Sequence, residues 1–362
     1  MALNFEDIHD PRRSKSVTYP LGEIFFISLC AMLSGADAFT EFQAYGLAQE
    51  SWLKKRLPLV NGIPSHDTFR AVFGLIAPNS FNQFFMRWTQ GLRKLDGHDL
   101  IAVDGKSLRG SSREQAVHLV NAWASGDNLI LGQMKTDKKS NEITAIPQLL
   151  EQLELKGAIV TIDAMGTQKT IARTIEEAGA SYVLCLKNNH PKLHRDVEEF
   201  MENPCNAGLM DFHEHSGKDH GRQSTWRYSI AECPDWLPER SEWTGLCALG
   251  RVERIREIEG GQRKSTLHYY VCSIEADADL FGSCVGSHWG VENKAHWVLD
   301  VTFNEDACQV RNDVAATNLS LMRKLCINLL RQDPSKRSLR EKRKVAGWNS
   351  RFLEEILGLT HA

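Results

Sequence analysis

Apolar residues recur along this chain at two spacings, and the change from one to the other divides it. From the start to about residue 95 the spacing is helical. Leu21 to Met32 is an apolar run of helical length, and Glu41 to Leu53 is amphipathic. Ser65-His66-Asp67-Thr68 offers a serine or aspartate as N-cap for Phe69 to Leu75. Pro58, Pro64 and Pro78 punctuate these segments, and Pro78 to Leu92 adds a helix carrying Phe81, Phe84, Phe85 and Trp88. The turn Asp96-Gly97-His98-Asp99 closes the region.

From Leu100 the pattern is that of strands. Leu100-Ile101-Ala102-Val103-Asp104 is a short apolar run ending on a carboxylate, followed at once by Gly105 and Lys106. Ala116 to Ala124 and Asn128 to Lys135 follow as strands, split by the turn Ser125-Gly126-Asp127. Glu142 to Leu155 has helical spacing despite Pro147. Ala158 to Ile162 is a second apolar strand, with Asp163 at its last position. Thr170 to Ala178 is a helix with Gly179 as its C-cap, and Ser181 to Leu186 is another strand. Three strands, helix, strand, helix, strand is the succession of a ribonuclease H-like α/β core. Residues from about 205 to 275 read as a β-rich insertion, with strand-like pieces at Thr225 to Ile230, Leu246 to Glu257 and Ser265 to Ser273. Helix returns from about 281. The expected organisation is a helical unit over 1–95, an α/β catalytic unit over 96–330, and a basic helical tail over 331–362.

Composition narrows the class. At 362 residues and 42% hydrophobic, the chain can bury a large core. No run approaches the roughly twenty apolar residues that span a bilayer, and the polar start holds no apolar leader segment. A cytoplasmic protein with no membrane partner is expected. The nine cysteines are scattered without a CxxC pair, as buried thiols of a reducing compartment are. A net charge of −3 gives a polyanion no general attraction, so any nucleic-acid surface must be local. Lys336, Arg337, Arg340, Lys342, Arg343 and Lys344 form one such patch.

The chemistry lies in the acids. If the strands ending at Asp104 and Asp163 are neighbours, their carboxylates share the sheet edge where open α/β sheets bind ligands. A third acid follows in His288-Trp289-Gly290-Val291-Glu292-Asn293, where a helix would put Glu292, His296 and, less closely, Leu299 on one face. Three carboxylates suit hard divalent cations, and a pair of such ions can activate an attacking oxygen at a phosphodiester. Each acid also has a plainer reading. An aspartate before glycine is a common turn former, a helical glutamate is commonly solvated, and Asp300, Glu305 and Asp306 compete for the third position. Lys106 and Arg109 could grip phosphate or be ordinary surface charge. His213, His215 and His220, with Cys205 upstream, fit no common zinc spacing, and their segment reads as a polar loop.

The stretches Asp104-Gly105-Lys106-Ser107-Leu108-Arg109-Gly110, Asp163-Ala164-Met165-Gly166-Thr167-Gln168 and His288 to Asn293, with His296 to Val301 and Glu305-Asp306 after them, resemble the H-repeat-associated DDE transposases of bacterial insertion sequences. The likeness runs nearly end to end and takes in Asp10-Pro11-Arg12 and the helix from Leu21 through Gly35-Ala36. It implies Asp104, Asp163 and Glu292 as catalytic, metal-holding residues for Mg2+ or Mn2+. It implies Lys106, Arg109, Lys187, Arg222 and His288 as DNA-facing positions, double-stranded element ends and target DNA as partners, and a homodimer when two ends are brought together. The implied activity is cutting and joining of DNA at element ends. The chain also departs from the family pattern: Gly286 stands where many relatives carry arginine, Leu299 where related transposases carry lysine, and Ser224 and Trp226 where glutamate and arginine are usual. A decayed copy, a catalytically inactive DNA-binding relative and a metal-dependent nuclease without strand transfer are the competing readings.

Overall fold

The structure, a computed structural model, describes residues 3–13, 17–94, 99–112, 116–136, 142–219, 222–257 and 263–359. Five helices come first: α1 (Leu21–Leu33), α2 (Phe39–Ala48), α3 (Glu50–Leu53), α4 (His66–Leu75) and α5 (Pro78–Gln90). α1 is apolar almost all round and accordingly buried on nearly every side. Phe25 on it stacks on Phe73 of α4 at 5.2 Å and meets Phe81 of α5 edge-on at 4.9 Å, tying three helices through aromatic contacts. The Ser65 side chain caps α4 by accepting the Thr68 N–H, and Pro78 occupies the first turn of α5, where its missing N–H costs nothing.

The sheet follows: β1 (Leu100–Leu108), β2 (Val117–Ala124), β3 (Leu129–Thr136), then α6 (Glu142–Leu150), β4 (Ile159–Ile162), α7 (Lys169–Glu177) and β5 (Ser181–Leu186). After α8 (Pro191–Glu202) come β6 (Met210–Asp219), β7 (Arg222–Glu232), β8 (Ala248–Glu257) and β9 (Arg263–Cys272). Among the described residues these make one nine-stranded sheet in the order β3-β2-β1-β4-β5-β9-β8-β7-β6. β1, β4 and β5 run parallel, and every other pairing is antiparallel. The chain closes with α9 (Ala278–Gly290), a π-helical turn (Val291–His296), α10 (Trp297–Thr302), α11 (Asp313–Gln332), α12 (Leu339–Trp348) and α13 (Ser350–Leu357). No helix among the described residues is long and apolar enough to cross a membrane.

Three expectations change. β1 does not stop at Asp104. Its parallel pairing with β4 ends at Val103↔Ile162, but its antiparallel pairing with β2 carries the strand on to Leu108. α6 ends at Leu150 rather than Leu155, after Pro147 has already removed one backbone donor. The supposed polar loop around His213 and His215 is β6, an edge strand whose polarity blunts the free edge. His213 lies 2.7 Å from Asp279, His215 stacks on Trp226, and His220 lies outside the described residues. The β-rich insertion at 205–275 extends the same sheet, since β9 pairs with β5 from Val183↔Cys272 to Leu186↔Tyr269. The turn expected at 96–99 falls mostly on residues 95–98, which are outside the described residues.

The basic tail is only partly a surface. Lys336, Arg337, Arg340 and Lys344 are exposed, whereas Lys342 and Arg343 are buried. Arg343 donates to the carbonyls of Met32, Ala36 and Thr302 and to the Asp37 carboxylate, and Lys342 donates to the carbonyls of Leu330 and Asp333. α12 is thereby fastened to the end of α1 and to α10. α11, buried along most of its length, packs on α4, α5 and β3. It carries Lys324, fully enclosed, whose ammonium donates to Asn121 Oδ1 at 2.5 Å and to Gln133 Oε1. Burial pulls its pKa down to about 7.

Two outcomes follow from these buried cations. Arg343→Ala strands four acceptors and should cost about 3–5 kcal/mol of unfolding free energy in a urea titration; a loss below about 1 kcal/mol would show the tail to be an unanchored appendage. Lys324 binds fewer protons folded than unfolded between pH 7 and its ordinary value near 10.4, so its contribution to stability rises with pH across that window. Between pH 7 and 9 the stability difference between wild type and Lys324→Met should move in favour of wild type by roughly 2 kcal/mol, from a linkage slope of at most ~1.4 kcal/mol per pH unit. A difference independent of pH would mean the buried ammonium keeps its ordinary proton affinity.

Candidate active site

The register of β1 on β4 sets the site. Val103 pairs with Ile162, and Asp104 and Asp163 each lie one residue beyond that last parallel pair. Adjacent strands run about 4.8 Å apart and paired residues share a face, so the two carboxylates emerge side by side. Two anions so placed need a compensating cation or a shared proton. The Asp104 carboxyl is pushed up to about 7, first by burial, then by the charge of Asp163 and, more weakly, of Glu292 and Glu142, while the Gly105 N–H holds it down. Asp163 accepts the N–H groups of Met165 at 3.1 Å and Gly166 at 3.3 Å, so it also forms the turn that ends β4. Turn former and neighbour of Asp104 are here one residue's two roles.

His296 Nδ1 lies 3.4 Å from Asp104 Oδ2, and its Nε2 lies 3.5 Å from the side-chain nitrogen of Asn121, the residue opposite Asp104 on β2. Burial and the nearby charges of Lys106 and Lys324 lower the imidazole pKa to about 3, so it stands neutral beside the acids. His288 does not face outward for DNA. Its Nδ1 is 3.0 Å from Thr161 Oγ1, and burial lowers its pKa. Glu292 is exposed on the π turn that joins α9 to α10. Asp300, Glu305 and Asp306, the rivals for the third acid, surround Lys106 instead, at 2.6, 3.9 and 3.7 Å. Lys106 is therefore a buried counter-ion. Arg109 is highly exposed, its Nε 3.4 Å from Asp306, and Lys187 is exposed just past β5 on the same sheet edge as the aspartates. The Arg222 side chain lies outside the described residues.

The sequence reading missed a chain on the other face of β1. His118 Nε2 contacts Glu142 Oε1, and His118 Nδ1 is 2.9 Å from Ser107 Oγ. A Cβ on Gly105 would come within 2.8 Å of His118 Nε2 and collide with the Glu142 carboxylate, so the glycine after Asp104 makes room for a fourth acid. The Asp-Gly pair was the available signal. A turn is the commoner meaning of that pair.

Among the described residues no three histidine, cysteine, aspartate or glutamate side chains are gathered so as to hold a metal ion where they stand. The donor chemistry nonetheless suits a hard divalent cation. Asp104 and Asp163 offer carboxylate oxygens side by side, and the raised proton affinity of Asp104 marks a place short of positive charge.

Comparisons with known proteins bear on the whole chain. Residues 3–89 match the family described as DDE_Tnp_1-associated, and residues 95–329 match the Transposase DDE domain, the range that holds Asp104, Asp163 and Glu292. The H repeat-associated putative transposase YhhI of Escherichia coli K12 is 38% identical over 97% of this chain and 95% of its own length. The putative transposase YncI of Escherichia coli O157:H7 is 37% identical over 97% of this chain and 92% of its own. A protein from the dhlA 3′ region of Xanthobacter autotrophicus is 44% identical over 71% of this chain and 88% of its own. A solved piggyBac transposase synaptic complex with hairpin DNA aligns over 97% of this chain and 77% of its own at 11% identity, with a TM-score of 0.41, too loose a likeness to carry a fold. On the family match and these relatives, the chain belongs to the DDE transposases, as the three acidic stretches of its sequence had implied.

Proposed function

We propose that this transposase cuts and joins double-stranded DNA at the ends of an insertion sequence, with Asp104, Asp163 and Glu292 as its acidic triad. The observation that carries the reading is the adjacency of Asp104 and Asp163, each one residue past the last parallel pair of β1 and β4, with the Asp104 pKa raised to about 7 by burial and then by the charge of Asp163. The strand order β3-β2-β1-β4-β5, with the first three antiparallel and the last three parallel, supports a ribonuclease H-like core reaching over residues 96–330. Residues 1–95 would be the associated helical unit and 331–362 the basic tail.

Divalent cations, Mg2+ or Mn2+, would supply a Lewis acid at the scissile phosphate and activate the attacking oxygen. The chain's own residues do the rest. Asp104 and Asp163 would hold the ions, and Glu292 would join them from the π turn. Neutral His296 keeps Asp104 oriented without adding a competing charge. Lys106, with Arg323 beside Glu305 and Arg109 beside Asp306, offsets the charge of Asp300, Glu305 and Asp306, so that these acids compete less with the triad for cations. Arg109 and Lys187, exposed at the same edge, meet phosphates, and the exposed lysines and arginines of the tail extend that track. Two copies bring two ends together in the cytoplasm.

Gly286 favours one refinement. It is exposed on α9, and nothing lies within 4 Å of where its Cβ would be, so an arginine would fit there without displacing a neighbour. Such an arginine could grip a phosphate with both arms, and losing that kind of positioning costs about a hundredfold in rate. With Mg2+ and the element's own ends, wild type should nick, Asp163→Asn should nick about a hundredfold more slowly, and Gly286→Arg should raise the yield of joined ends. Nicking unaffected by Asp163→Asn would overturn the triad. Absence of nicking in every form would favour the DNA-binding relative, and nicks never followed by joining, even in Gly286→Arg, the nuclease. Duplex affinity that does not weaken with added salt would remove the proposed phosphate contacts.

A further inference from the structure

The segment bearing Glu292 is not an α-helix. Between Val291 and His296 the backbone widens to a π turn, with the Trp297 N–H donating to the Glu292 carbonyl five residues back. Such turns are short, conformationally costly, and persist where surrounding contacts over-determine them. Here three contacts from outside the helix converge on the turn. Arg331, near the end of α11, donates from Nη2 to the Lys294 carbonyl in the middle of the turn. The same guanidinium lies over the buried Trp123 of β2, its Cζ 4.5 Å from the ring centroid. The indole of Trp123 in turn backs onto Gly290 at the start of the turn, 3.6 Å from where a Cβ would sit. Lys294 Nζ adds a bond of 3.1 Å to Asn128 Oδ1 in the β2–β3 turn, where Asn128 holds a left-handed φ of 54°.

Consider what this holds. Val291 and Ala295 are buried while Glu292 is exposed, so the width of the turn decides where the glutamate points. Relaxation to an α turn would rotate the preceding helix against the following one by about 100°, the angle of one residue. His288 against Thr161 and His296 against Asp104 fix the two flanks, so the strain falls on the turn between them. We propose that Arg331 is the positioning residue for Glu292: pinned between Trp123 and the Lys294 carbonyl, it latches the π turn and so sets the glutamate's place relative to Asp104 and Asp163. The inference rests on the reading of Glu292 as the third acid.

The full chain tests it with Mn2+ alone and with DNA ends. In Arg331→Met the amides of residues 291–297 should exchange with deuterium at least about tenfold faster while those of β1 do not change, as local opening without global unfolding requires. Mn2+ affinity by calorimetry should fall about tenfold in both Arg331→Met and Glu292→Gln, with no further fall in the double variant, because one residue acts through the other. The nicking kcat should drop with KM for DNA unchanged, and Arg331→Lys, which keeps the charge and a donor, should recover part of it. If Arg331→Met does not fold, Trp123→Phe decides by the same measurements. Unchanged exchange at 291–297, or a normal Mn2+ affinity in a variant whose Glu292→Gln counterpart has lost it, would overturn the latch alone. Intact Mn2+ binding and nicking in Glu292→Gln would instead overturn the assignment of Glu292, and the latch with it.

Discussion

Like charges on adjacent strands are the constraint from which the centre of this molecule follows. A parallel pairing that ends at Val103↔Ile162 delivers two aspartates to nearly the same point, and no lysine or arginine is hydrogen-bonded to either of them among the described residues. The protein tolerates the repulsion by letting Asp104 hold its proton near neutrality and by setting an uncharged imidazole beside it. A fold optimised only for stability would place a lysine there. One is close at hand, two residues along β1, and it is kept away by three other carboxylates. The acids around Lys106 are thus part of how the centre stays electron-rich.

The sequence disclosed what depends on local pattern. Apolar runs, proline breaks and glycine caps fixed most elements to within a few residues, and β5 came out at its observed bounds, because burial and backbone chemistry leave period and punctuation in the chain itself. The two aspartates that follow apolar runs were legible for the same reason. What stayed hidden depends on partners far apart in sequence. Lys106 looked like a phosphate grip because nothing near it foretold Asp300, and Arg343 looked like surface because its acceptors are carbonyls of α1 and α10. β6 was lost because an edge strand with polar residues on both faces lacks the alternation that marks a half-buried one. The π turn was illegible in principle, since no periodicity announces one residue too many in a helix.

Family likeness and physical reading met unequally. The likeness named the three acids at once, and the geometry gives the first two a reason in strand register. For Glu292 the geometry adds something else: an exposed side chain on a π turn that Arg331 and Asn128 hold from outside the helix.

The outer half of the sheet has a consequence for how such a protein can be reshaped. The segment read as an insertion enters the sheet through its last strand, since β9 seals the flank of β5 while β6, inserted first, ends at the free edge. It cannot be lifted out as a cassette. Cutting from residue 205 to 275 would strip β5 of its neighbour and open Val183 and Ile159, buried in the same cluster as Cys272 of β9, to water. Lengthening or trimming is tolerable only from the far side, at β6 and its hairpin, so the architecture grows like a wall to which courses are added at one end. Kin of this chain that differ in the size of the region are expected to differ there first.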